Sequence, residues 1–176
     1  RGRVAPGMHV VVNGASGAVG TNAVQIAKYF GATVTAVCSG GNAALVRSLG
    51  ADHVIDYARQ PLAGSGGRYD VVLDAVSNLS IAEGTALLAP AGLLLLAVPT
   101  LAQLVVPRSR VVRGGAPERL ADVQWLLQRA ARGELRAVVD RTLPLADAVA
   151  AHRIVDGGHK RGNVVLTLPA GDGPGR

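Results

Sequence analysis

A strand that runs into a glycine-rich bend and then into a helix constrains this chain more than any other stretch. Met8 to Val12 is a short apolar run, and Asn13 to Gly20 is small and glycine-rich. A helical pattern follows, with Val19, Ala23, Ile26, Ala27 and Phe30 on one stripe and Gly31 as its stop. The dinucleotide spacing G-x-G-x-x-G falls on Ala15, Gly17 and Gly20, with Gly14 beside the alanine. Gly17 lets backbone approach a pyrophosphate, and Gly20 lets the helix pack close to the sheet. Free amides at the helix start point at the anion. Ser16 adds a hydroxyl donor, and Val19 is expected to pack beneath. The expected cradle therefore comprises Ala15, Ser16, Gly17, Ala18, Val19 and Gly20. The alternative is a tight strand-to-helix turn that binds nothing. A triphosphate loop is disfavoured, because no Gly-Lys-Ser/Thr ending follows.

The rest of the chain repeats the alternation. Strands are expected at Thr33 to Cys38, Val54-Ile55, Tyr69 to Leu73 (ending at Asp74), Leu93 to Val98, Val111-Val112 and Asn163 to Leu168. Asn42 is placed to cap a short helix that Gly50 closes, and residues 59–68 read as a loop. Further helices are expected at Ile81 to Leu88, weakened by Gly84, and at about Asp147 to Val155. Another starts at Pro117, carries Leu120, Val123, Leu127 and Ala130 on one face, and ends at Gly133. Continuous apolar strands alternating with helices predict an α/β fold. It is a doubly wound, mostly parallel sheet of Rossmann type with helices on both faces.

Composition narrows the function classes. Apolar residues make up 49% of the 176 and charged residues 17%, which suits one folded domain with an aliphatic core. The net charge of +6 suits phosphate-bearing partners. Its densest groups, Arg108/Arg110/Arg113 and Arg129/Arg132/Arg136, have no interleaved aromatic platform, so no nucleic-acid partner is expected. A single cysteine, Cys38, excludes an internal disulfide and a multi-cysteine zinc cage. His9, His53, His152 and His159 are dispersed, and no metal site is expected. No run of 18 apolar residues suggests a membrane span, and no signal-like start is seen, so a cytoplasmic location is expected. Arg1-Gly2-Arg3-Val4 reads as the middle of something longer, and residues 169–176 as a frayed tail.

The second expected strand ends Val37-Cys38-Ser39-Gly40-Gly41-Asn42, with no carboxylate to accept from ribose hydroxyls. An acid there would repel a 2′-phosphate, whereas Ser39 can donate to one and Arg47 can complement its charge. This favours NADP(H) over NAD(H). Ser39 as an ordinary loop hydroxyl and Arg47 as a solvated side chain remain open. Cys38 reads as a small buried hydrophobe rather than a nucleophile.

Several strings now point the same way. They are Asn13 to Thr21, Ala23-Val24-Gln25-Ile26-Ala27-Lys28, Leu49 to Tyr57, Tyr69-Asp70-Val71-Val72-Leu73-Asp74 and Arg161-Gly162-Asn163-Val164-Val165-Leu166. Together they resemble the cofactor domain of the quinone oxidoreductase-like, zinc-independent branch of the medium-chain dehydrogenase/reductase superfamily, over about residues 4–168. The resemblance implies a dinucleotide-binding domain over that span, an NADP(H) cofactor, and reduction of quinones or activated alkenes or carbonyls. It implies that Tyr57 borders the 2′-phosphate and that Ser39 contacts it, while Gly41 stands where close relatives carry a basic residue. It places Asp74, Ala75, Val76, Ala97, Val98 and Pro99 near the nicotinamide ribose. Asn163, at a position commonly lysine, completes the set. A homodimer through the sixth strand near Val111-Val112 and a separate substrate-side domain, absent from this chain, are also implied.

If the parent is reductive, the cofactor supplies a hydride and the protein positions it. No Ser-Tyr-x-x-x-Lys acid group is present, and no catalytic residue is assigned within the chain. The chain alone is expected to bind dinucleotide weakly and turn over slowly. Rival readings are a non-enzymatic NADPH sensor, the cofactor domain of a zinc-dependent alcohol dehydrogenase, and an assembly module.

Overall fold

A computed structural model describes residues 3–104, 109–113 and 119–168. Its strands are β1 His9–Asn13, β2 Thr33–Cys38, β3 His53–Asp56, β4 Tyr69–Asp74, β5 Leu88–Leu96, β6 Val111–Arg113, β7 Val139–Pro144 and β8 Asn163–Thr167. Its helices are α1 Ala18–Tyr29, α2 Ala43–Ser48, α3 Ile81–Ala86, α4 Leu101–Leu104, α5 Leu120–Ala131 and α6 Ala148–Asp156. The first six strands form one parallel sheet in the order β3-β2-β1-β4-β5-β6, with every pairing parallel. The order reverses between β1 and β4, which opens a crevice at the carboxyl ends of the strands. β7 and β8 make a second, two-stranded parallel sheet.

Strand alternation builds a core on each face. Val10, Val12, Val34, Ala36 and Cys38 pack towards α1 and α2, where Val24, Ala27 and Val46 meet them. Val11, Val37, Val72, Leu94 and Leu96 face the other way, onto Leu79, Ile81 and Leu87 around α3. Full burial of a side chain such as Leu94 contributes about 2 kcal/mol. Gly84, a helix weakener by sequence, proves to be a packing device: a Cβ there would stand 2.7 Å from a methyl of Leu94. Its helix is secured by a reciprocal capping box between Ser80 and Glu83.

Several expectations need correction. On α1 the buried face runs through Gly20, Val24 and Ala27, so the middle of the expected stripe, Ala27 with Ala23 beside it, meets the core while its ends, Val19 and Phe30, stand exposed. Val19 is 48% exposed and does not pack beneath the turn. The reason is steric: Gly20 presses on Ala15, which rolls the helix so that Val19 faces outward. On α5, the stripe of Leu120, Val123, Leu127 and Ala130 faces away from the core, with Leu120 72% exposed. That helix docks instead through Trp125, which stacks on Phe30 at 5.7 Å and meets Tyr29 edge-on at 5.1 Å. Arg129, one turn further on, lies 5.4 Å from the Tyr29 ring centroid. β5 begins at Leu88 rather than Leu93, through an irregular register beside Tyr69. The strand β7 was not expected at all. Pro117, Arg108 and the 169–176 tail lie outside the described residues.

Candidate functional site

The site begins where β1 ends. Gly14 turns the chain at φ +81, a left-handed conformation that suits glycine, and a Cβ there would meet Val76 Cγ1 at 2.5 Å. The amides of Gly14 and Ala15 both donate to the Val37 carbonyl, at 3.2 and 2.9 Å, so the turn is sewn to β2. Gly17 then serves as the N-cap of α1, with no side-chain cap. The first intrahelical bond runs from the Thr21 amide to the Gly17 carbonyl at 2.9 Å. The Gly17 amide is itself taken by the Gly14 carbonyl at 3.1 Å, and the amides of the first helical turn lie at the positive end of the helix dipole.

Beside this turn opens a cleft of about 430 Å³. Ser16, Gly17, Ser39, Tyr57 and Val76, all expected from sequence, line it. A smaller hollow of about 240 Å³ adjoins, with Gly17, Ala18, Val19, Gly20, Ala75 and Val76 in its wall. Ala15 is fully buried under the turn. The structure does not bring every expected residue to these walls. Arg47, exposed on α2, and Ala97, Val98 and Pro99 beyond β5 line neither hollow. The Asn163 side chain donates to the Val138 carbonyl at 3.0 Å.

Asp74 sits beneath the site rather than in its wall, at 1% exposure. Its Oδ1 accepts from the Asn13 side chain at 3.1 Å and from the amides of Val76 and Ser77 at 3.1 and 3.0 Å. Its Oδ2 accepts from the Leu79 amide at 3.2 Å. The carboxylate thereby shapes the turn that presents Val76, and it holds Ser77 at φ +59. Asn13 joins the network through a second bond, to Asn78 Oδ1 at 2.6 Å.

Asn42 also has a different role from the expected one. Its side chain makes no helix-capping bond. Instead its amide donates to the Ser16 and Ser39 hydroxyls, each at 3.1 Å, and joins the strand-end loops of β1 and β2. Two N–H donors on one planar group suit that bridge, and the amide makes it without placing a negative charge between the loops. At the floor, burial pushes the Cys38 thiol pKa up, Asp56 adds to the rise and Arg47 opposes it. That keeps the thiol neutral, in line with its reading as a small hydrophobe.

Sequence reasoning missed the wall opposite the turn. Residues 158–161, Gly158-His159-Lys160-Arg161, line the main cleft. The loop is tethered where β8 begins, by the Gly162 amide donating to the Ser16 carbonyl at 2.8 Å. The signal available in the sequence is the run of consecutive basic residues His159-Lys160-Arg161 between two glycines. Among the described residues, none that lines either hollow is Asp or Glu. Among the described residues, no group of His, Cys, Asp and Glu is placed to hold a metal ion, and no helix is long and apolar enough to cross a membrane.

Comparison with known proteins bears on this arrangement. Residues 49–166 match the family described as zinc-binding dehydrogenase. A chloroplastic quinone-oxidoreductase, QR1, of Triphysaria versicolor is 31% identical over 92% of this chain and 53% of its own length. A trans-enoyl reductase, poxH, of Penicillium oxalicum is 31% identical over 94% of this chain and 51% of its own. The solved quinone oxidoreductase of Coxiella burnetii superposes with a TM-score of 0.83 at 26% identity, over 96% of this chain and 55% of that one. The chain thus spans about half the length of these relatives.

Proposed function

The chain belongs to the zinc-binding dehydrogenase family, as a cofactor-binding domain of the quinone oxidoreductase-like kind, and from that premise we propose that it holds NADP(H) for hydride transfer to a quinone or an activated alkene or carbonyl. When bound, the nicotinamide supplies the hydride. The chain's own part is to bind and orient. The amides at the start of α1 grip the pyrophosphate, and Gly17 lets it approach. Ser39 and Tyr57 lie on the adenosine side of the cleft, with Ala75 and Val76 on the nicotinamide side. Arg47, Asp74, Ala97, Val98, Pro99 and Asn163 act from beneath or beyond these walls. The substrate class follows from what the relatives are named for, quinone oxidoreductase and trans-enoyl reductase.

The observation that favours NADP(H) over NAD(H) is the acid-free wall at the end of β2. The carboxylate that approaches this loop, Asp56, turns its Oδ1 to the Ala58 amide at 3.1 Å and is not in the lining. Its Oδ2 lies beside Gly40 and its charge reaches Cys38, yet no described carboxylate lines the wall itself, so a ribose hydroxyl finds no acceptor in it. Titration calorimetry with each cofactor tests this. We expect NADPH to bind at least about tenfold more tightly than NADH, the worth of one charge-assisted hydrogen bond. Equal affinity, or tighter NADH, would remove the reading. Assembly as a homodimer is part of the same proposal: β6 is an edge strand, and a second copy would cover its open side.

A further inference from the structure

We propose that the loop joining α6 to β8 selects the cofactor in this chain, with Arg161 and His159 contacting the 2′-phosphate and Lys160 contacting the pyrophosphate. The inference rests on the dinucleotide reading above and names residues that reading did not use. Among the described residues, every basic one that lines the main cleft comes from this loop. The wall at Ser39 and Asn42 offers hydroxyl and amide groups but no cation, Gly41 has no side chain, and Arg47 does not reach the lining. NADPH carries a pyrophosphate and a further phosphate. A cleft that takes it without a cation would leave those charges to weak neutral donors.

The loop is built to hold position. Gly158 and Gly162 bracket it in left-handed conformations, at φ +72 and +58. A Cβ on Gly162 would stand 2.7 Å from the Val138 Cβ, so the backbone there has no room for a side chain. The Gly162 amide is bonded to Ser16, the residue before the pivotal Gly17. The Arg161 amide donates to Asp140 Oδ1 at 3.4 Å. Lys160 Nζ donates to the Gly162 carbonyl at 2.6 Å, which leaves its other N–H donors to a ligand.

The division of labour follows from where each side chain lies. Lys160 lines both the main cleft and the smaller hollow, and so spans the glycine turn between them. A pyrophosphate at that turn lies under it. His159 and Arg161 line only the main cleft, the one that holds Ser39, Asn42 and Tyr57. A 2′-phosphate beside Ser39 and Tyr57 would share that cleft with them. Arginine is the better phosphate reader of the two, since its planar fork makes paired hydrogen bonds.

Calorimetry on the chain and three variants tests the assignment, with NADPH, NADH, and adenosine 2′,5′-bisphosphate against AMP. Arg161→Gln is expected to weaken NADPH and the bisphosphate about tenfold while NADH and AMP change less than about twofold. Arg161→Lys keeps the charge and should retain most of the preference. Lys160→Met should weaken NADPH and NADH by the same factor. Equal losses for both cofactors in Arg161→Gln, or no loss, overturn the proposal while leaving NADPH binding intact. A native chain that binds neither dinucleotide overturns the dinucleotide reading beneath it. Unchanged thermal unfolding of Arg161→Gln, an exposed position, separates lost contact from lost fold.

Discussion

Gly20 lies so close under Ala15 that a Cβ on it would stand 2.6 Å from the Ala15 Cα, with the Gly14 carbonyl nearer still. Those neighbours are backbone and cannot swing aside. Gly17, three residues earlier, has only the Gly14 carbonyl near its missing Cβ, at an ordinary 3.5 Å. The two glycines of one turn therefore do different jobs.

Substitution should separate those jobs. Gly20→Ala is expected to lower stability by about 2 kcal/mol, as overpacking does. Gly17→Val should cost only about 1 kcal/mol of stability, the difference between a good and a poor N-cap residue, yet abolish dinucleotide binding by filling the cleft wall. Urea unfolding with calorimetry checks both. A stable Gly20→Ala would contradict the packing argument. A Gly17→Val that still binds would contradict the cradle.

Asp74 is an acceptor on both oxygens, for donors from Asn13, Val76, Ser77 and Leu79. Asp74→Asn keeps the shape but replaces one acceptor with an NH2 group. If Oδ1 keeps its partners, the new amide faces the Leu79 N–H, donor against donor. A loss of about 1–3 kcal/mol is expected from that unsatisfied buried pair. Denaturant unfolding reads it directly, and an unchanged midpoint would show that the turn does not depend on the carboxylate.

Acid should weaken the fold through two carboxylates. Burial pushes the Asp52 pKa up, but the Val34 amide and Lys28 outweigh it, and the net shift is downward. Its Oδ2 accepts from Val34 at 2.7 Å and pairs with Lys28 at 2.9 Å. Glu83 is lowered too, by hydrogen bonds with Ser80 in the capping box. A pKa depressed on folding gives stability that is complete above the unfolded value, about pH 4, and is lost as pH falls through the folded one. Urea midpoints measured from pH 5 downward should therefore drop, and the drop should shrink in the Asp52→Asn, Glu83→Gln double variant. The same slope in both proteins would assign acid sensitivity elsewhere.

Much of this was legible in the sequence because local patterns and tertiary needs agreed. β2 was read to its exact ends, since Thr33 to Cys38 is an unbroken β-forming run bounded by glycines. The turn at Gly14 to Gly20 was legible for the same reason. α5 misled because its apolar stripe was real, yet a neighbouring face carrying Trp125 and Arg129 made the contact with Tyr29 and Phe30. Periodicity reports that a stripe exists, not that anything covers it. β7 escaped notice because Val139 to Pro144 is mostly exposed and shows no apolar alternation. The roles of Asn42 and of residues 158–161 depend on partners far away in sequence, which no local window contains.

The bond between residues 16 and 162 also bears on how the protein is made. A ribosome delivers β1, the glycine turn and α1 well before the loop that faces them, and that supersecondary unit can form from neighbouring residues alone. The opposing wall follows only after all six strands of the main sheet, so the pocket is completed by one of the longest-range contacts in the fold. Until then the nascent chain displays the strand–helix turn with one side open, and the cleft proposed for the dinucleotide closes in a single event.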